Sequence, residues 1–121
     1  MIVPFLVCRA NTPVSHKQEI ELKERLGKAI AHVPGKSEGG LLLAFEGDAH
    51  LWLAGGDDPL AYIEASVFAN EGHAGYNTFV ADVAEAFSDV LGIPPQRVYV
   101  RFSDIPVWSV GDMLVDRRMF A

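Results

Sequence analysis

Asp48 and His50 stand two residues apart, so on a strand both would face one side. A carboxylate beside an imidazole suits metal binding, but two donors do not make a metal site, and no metal is expected. Cys8 is the only cysteine of the chain. It cannot form an internal disulfide or a structural zinc site, and in its apolar stretch it reads as a small core residue. Lys36 follows Gly35 just past a helix end, where a lysine is ordinarily solvated and favoured by the helix dipole. Pro4, as an internal residue, has its nitrogen in an amide, whose lone pair is delocalised into the carbonyl and is no base. His16, His32 and His73 fall in helix or loop contexts that read as solvated, and Trp52 and Trp108 read as packing residues. No glycine-rich phosphate loop and no spaced Ser/His/Asp set is present, and no cofactor is expected.

The elements that must position these groups are bounded by composition. The chain has 121 residues, half of them apolar and 21% charged, with a net charge of -6. That describes one globular domain over residues 1–121, large enough to need neither disulfide nor metal. The acidic balance, with Arg117-Arg118 the only adjacent basic pair, argues against a nucleic-acid surface. No apolar run approaches the roughly 20 residues of a membrane helix, and the start lacks a basic leader, so a cytoplasmic location is expected.

Pro4 to Arg9 reads as a strand. Ser15 and Gln18 have capping-box spacing ahead of a helical stripe through Ile20, Leu22, Leu26, Ala29, Ile30 and Val33, which Pro34-Gly35 ends. Leu41 to Phe45 is a continuous apolar run, the pattern of a strand covered on both faces. Leu51-Trp52-Leu53 reads as a short returning strand, and Gly55 to Pro59 as a turn. Ala61 to Phe68 is the next strand, with Glu64 at an edge or in a polar layer. A second helix spans Asn77 to Leu91, with Gly92 as its cap, and Val98 to Phe102 alternates as a strand. The tail from Ser103 to Ala121 reads as loop, with a short strand near Trp108 to Val110. Two halves of about 60 residues thus repeat one plan, strand, helix, strand, which suits βαβ units with both helices on one side. The other face of such a sheet would be apolar and bare, and a homo-oligomer is the economical cover.

Pro4-Phe5-Leu6, Asn11, Pro13-Val14-Ser15, Leu26-Gly27-Lys28-Ala29-Ile30, Gly35-Lys36, Gly55-Gly56, Pro59 and Asn77 form an ordered set. Leu91-Gly92-Ile93, Pro95, Arg97-Val98-Tyr99-Val100, Asp104 and Val110-Gly111 continue it. Together they resemble the macrophage migration inhibitory factor (MIF) family of the tautomerase superfamily over nearly the whole chain. The resemblance implies an α+β fold of two β-α-β pseudo-repeats, a four-stranded mixed sheet with two helices on one face, and a homotrimer. It implies keto-enol tautomerisation of phenylpyruvate-type substrates, with a free N-terminal proline amine as general base and acid. By that resemblance Pro4 is the base and Lys36 tunes its pKa or binds a carboxylate. Tyr99 and Arg101 help from a neighbouring copy, and Phe68 and Val110 line the substrate.

Departures from the family pattern set further expectations. Residues 1–3 precede Pro4, so as written it offers no amine, and they could extend ~10 Å into the substrate space. The alternative is therefore a catalytically silent trimer that binds a ligand or a protein. Gly111-Asp112 stands where relatives carry Gly-Trp, which turns an aromatic wall into a carboxylate, and Arg101 replaces the family's asparagine. Leu60-Ala61-Tyr62-Ile63 occupies the place of a Cys-x-x-Cys motif found in some members, so thiol oxidoreductase activity is not expected.

Overall fold

A computed structural model describes residues 4–120. Helix α1 (His16–Ala29) begins where the sequence says it should. The Ser15 side chain accepts the Gln18 amide at 3.1 Å, and the Gln18 side chain accepts the Ser15 amide at 2.9 Å. Such a box satisfies two otherwise orphaned donors and is worth about 1 kcal/mol. Leu22, Leu26 and Ala29 are buried from α1, and a short 3-10 turn over Ile30–His32 carries the chain to Gly35, which takes a φ of 75°. Helix α2 (Tyr76–Leu91) buries Phe79, Val83, Ala86 and Phe87 and ends on Gly92 in the left-handed conformation. Its start is set by Gly75, where a Cβ would collide with the His32 carbonyl, so the end of the first helical segment and the start of α2 meet through a missing side chain. Arg25 with Asp89 at 3.1 Å and His32 with Asp82 at 2.8 Å tie the two helical segments together.

The strands are β1 (Phe5–Ala10), β2 (Leu42–Glu46), β3 (Ala61–Phe68) and β4 (Val98–Ile105), in the sheet order β2-β1-β3-β4. β1 and β2 run parallel, β3 and β4 run parallel, and β1 meets β3 antiparallel at the centre. The halves match in register: Phe5 pairs with Leu42 and Ala61 with Val98, a spacing of 37 residues in both. This is the α+β fold of two β-α-β pseudo-repeats, with both helices on one face. Leu6, Cys8 and Ala10 of β1 and Ala61, Ile63, Ala65 and Val67 of β3 point to that face and form one core with the helices. Among the described residues no helix is long and apolar enough to cross a membrane.

Four expectations are corrected. The open sheet face is not plainly apolar. Register sets Arg9 beside Glu46 on one rung and Glu64 beside Arg101 on the next. A diagonal ion pair from Arg9 to Glu64 at 2.5 Å joins them into a zigzag row, with Arg9 to Glu46 at 2.9 Å and Arg101 to Glu64 at 3.7 Å. Phe5, Val7, Leu42, Ala44, Tyr62 and Tyr99 flank that row. Strand β2 is an edge strand rather than one covered on both faces, and Leu42 is 54% exposed. Leu51 to Leu53 makes no strand; a tight turn closes on a bridge between Leu53 and Gly56, and Asp48 lies at a φ of 54°, outside any strand. The tail is a hairpin rather than loop. β5 (Val107–Val110) pairs with β6 (Met113–Asp116) around Gly111-Asp112, and a 3-10 turn over Arg117–Phe120 follows. Residues 1–3, expected to reach into the substrate space, lie outside the described residues.

Candidate functional site

The sheet has two ends with different chemistry. At one, the Leu42 amide donates to the Pro4 carbonyl at 3.0 Å, and the Ala69 amide donates to the Ile105 carbonyl at 3.3 Å. Antiparallel β1–β3 and parallel β3–β4 pairing bring the start of β1, the end of β3 and the end of β4 to this end together. Lys36, on the loop between α1 and β2, has its amide bonded to the Val33 carbonyl at 3.0 Å and is only 6% exposed. Among the described residues its ammonium has no hydrogen-bond or ion-pair partner. Burial lowers its pKa, while the Asp104 carboxylate pulls the other way. Asp104 is itself held by the Asn70 amide at 3.0 Å and by Arg117 at 3.0 Å.

Beside Leu42 a groove of about 420 Å³ opens between residues 39–42 on one side and 108–111 on the other. Val110 and Trp108 form its outer wall from β5. Sequence reasoning took Trp108 for a packing residue. Its place on a strand facing the Gly39-Gly40 turn depends on the hairpin, which the Gly111-Asp112 pair between Trp108-Ser109-Val110 and Met113-Leu114-Val115 does signal.

At the far end Tyr99 pairs with Tyr62, and midway along the strands Arg101 lies opposite Glu64. Tyr99 is 50% exposed and borders a smaller apolar hollow of about 180 Å³ with Leu51, Trp52 and Leu60. From Tyr99 to the Ile105 end is roughly 20 Å of strand. Within one copy of the chain, Tyr99 therefore stays clear of Pro4 and Lys36. Arg101 points from the open face with its side chain 62% exposed. Phe68 is fully buried at the end of β3, beside Ile105 and outside the main core cluster. Asp48 and His50 line a separate hollow with Asn11 and Asp57, and among the described residues no group of three metal-ligating side chains exists. Cys8 faces the core, where burial pushes its thiol up to about 12, far from a reactive thiolate.

The macrophage migration inhibitory factor (MIF) family pattern matches residues 3–113. The chain belongs to the MIF family. Solved structures repeat its fold at low sequence identity. MIF2 of Leishmania major superposes with a TM-score of 0.87 at 19% identity, covering 93% of this chain and 97% of that one. Pt0534 inactivated by 2-oxo-3-pentynoate superposes at 0.80 with 16% identity, covering 96% and 98%. A fused 4-OT described as an asymmetric trimer superposes at 0.78 with 20% identity, covering 96% and 98%. No curated protein matches by sequence.

Set in the MIF frame, the chain's own residues fall into two groups. Pro4 and Lys36 lie at the groove end of the sheet, Val110 lines the groove, and Phe68 is buried at the same end of β3. Tyr99 and Arg101 lie away from it, Tyr99 at the opposite end and Arg101 midway along β4. Asp112 sits exposed at the tip of the β5–β6 turn, after Gly111 with its φ of 62°.

Proposed function

We propose that this MIF-family chain, as one cytoplasmic domain assembled into a homotrimer, catalyses keto-enol tautomerisation of phenylpyruvate-type keto acids when Pro4 is N-terminal. The observation that carries the reading is Lys36, a nearly buried ammonium without a bonded counter-ion, at the sheet end where Pro4 lies. A buried cation in that state favours an incoming carboxylate, which regains in the site the electrostatic energy both groups lose on leaving water. A free α-amine starts near a pKa of ~7.7–8.0, and a neighbouring ammonium lowers it toward working pH, where a base serves best. The Pro4 amine takes the proton from the carbon beside the ketone, the electron pair moves onto the carbonyl oxygen, and the resulting ammonium protonates that oxygen to give the enol. The reverse sequence returns the ketone.

The groove wall of Leu42, Trp108 and Val110 suits the aromatic ring. Because Tyr99 stands at the other end of the same sheet and Arg101 midway along its open face, a neighbouring copy is their route to the groove, and the trimeric 4-OT relative supports that assembly. The inactivation of Pt0534 by a 2-oxo acid anion supports the substrate class. With residues ahead of Pro4 in place the nitrogen is an amide, and we read that form as a silent, ligand-binding trimer.

The test is the ketonisation rate of enol-phenylpyruvate, followed by ultraviolet absorbance, on the full chain and on a form beginning at Pro4. Activity only in the second is expected; activity in neither sinks the enzymatic reading. In the active form, Lys36→Ala is expected to cut kcat/KM by about 100-fold and to move the base limb of the pH profile upward.

A further inference from the structure

Among the described residues the tail beyond β4 is tied back to the sheet by the side chain of Arg117. The Arg117 amide donates to the Pro106 carbonyl at 2.9 Å, so the whole β5–β6 hairpin lies between two bonded residues. The Arg117 guanidinium turns back to the sheet, where one nitrogen meets the Asp104 carboxylate at 3.0 Å and the Glu71 carboxylate as well. Asp104 is fixed in turn by the Asn70 amide, and Asn70 donates to the Ala74 carbonyl at 3.1 Å, just before α2. The pair is partly buried, with side-chain exposures of 35% for Arg117 and 27% for Asp104, so water screens it less than a surface ion pair. Its neighbour Arg118 makes a different choice: it is nearly free in solvent and grips only Asp116, on its own segment. The hairpin between these anchors supplies Trp108 to Gly111, the outer wall of the groove.

We infer that Arg117 is a positioning residue that, by gripping Asp104, pins the β5–β6 hairpin as the wall of the groove and so sets how tightly the groove holds a keto-acid anion. The inference rests on the reading of the groove as the substrate site. An arginine suits the task because its guanidinium stays charged at every relevant pH, and here one of its nitrogens serves Asp104 and Glu71 together. Without it the hairpin keeps its own ladder and the backbone bond at Pro106 but loses its side-chain tie to Asp104, so its amides open more often and the wall is ordered only at the expense of ligand affinity.

Three variants decide it: Arg117→Met, Arg117→Lys and Arg118→Met. In the full chain, hydrogen exchange of the interstrand amides of β5 and β6 is expected to speed up about ten-fold in Arg117→Met and to stay unchanged in Arg118→Met. Arg117→Lys, still able to meet Asp104, is expected to restore most of the protection. In the form beginning at Pro4, which keeps every described residue, KM for enol-phenylpyruvate is expected to rise about ten-fold in Arg117→Met with kcat within about two-fold. Unchanged exchange, or faster exchange with an unchanged KM, overturns the inference. If the parent form has no activity, the proposed function fails on its own. Affinity for phenylpyruvate is then read from Trp108 fluorescence in a Trp52→Phe background, and an unaltered dissociation constant in Arg117→Met overturns the positioning role.

Discussion

The two faces of the four-stranded sheet come from the same strands yet obey different rules. Toward the helices, β1 and β3 place Leu6, Cys8, Ile63, Ala65 and Val67, all close to fully buried, and the face is closed by Phe79, Val83 and Phe87 from α2. Toward the open side, the alternate residues of those strands carry Arg9, Glu64 and Tyr62, and neighbouring strands add Glu46 and Arg101. The first face is held by apolar burial, which has no ion pairs for salt to screen. The second is a row of alternating charge, which register assembles and solvent still reaches. Stability is thus concentrated on one side, while the other keeps polar groups available for whatever it meets.

The largest expected effect on this contrast lies in the core. Phe79→Ala removes a fully buried ring that packs edge-on to Phe102, at a centroid distance of 6.0 Å, and is expected to cost about 3–5 kcal/mol, read by urea unfolding. Next comes a pH effect from Cys8 on the same face. Its thiol ionises near 9.0 when unfolded but near 12 when buried, so between those values the unfolded chain holds fewer protons than the folded one. Stability is full below pH 9 and falls above it by at most about 1.4 kcal/mol per pH unit, and Cys8→Ala is expected to flatten that limb in denaturant titrations. On the open face, Arg9→Met leaves Glu46 and Glu64 without their shared cation. It is expected to lower Tm in low salt and to lose most of that effect in about 1 M salt, where the Debye length is ~3 Å. The smallest effect is set by Arg101, whose contact with Glu64 is long and exposed. Arg101→Gln is expected to leave the Tm of the isolated fold within about 1 °C, by calorimetry. A loss as large as that of Arg9→Met would mean the row acts as one network.

How much of this was legible in the sequence follows from the range over which each signal acts. The capping box at Ser15 and Gln18, the stop at Gly92 and the span of β3 are local patterns, and the structure places them where the residues indicate. The row of charge is different. Arg9, Glu46, Glu64 and Arg101 are each a single charge in an apolar stretch, and only the strand order and register bring them side by side. The β5–β6 hairpin did carry a local signal in Gly111-Asp112, but the charges of Asp116, Arg117 and Arg118 made the tail look like solvated loop. At the site, Lys36 reads from sequence as a solvated residue after a helix end. Its burial comes from the surrounding fold, beyond the reach of any window along the chain.

The matched register of the two halves has a consequence for how the chain folds. Each parallel pair closes a loop of 37 residues, and the central antiparallel pairing of β1 with β3 joins residues such as Phe5 and Ser66 or Ala10 and Ala61, 61 and 51 apart. Loop-closure entropy grows only with the logarithm of length, so these steps differ by less than about 0.5 kcal/mol. Chain entropy therefore gives neither half precedence and barely penalises joining them. The order of assembly falls instead to local helix strength, and there the halves are unequal, since α1 starts from a capping box and α2 from a bare glycine.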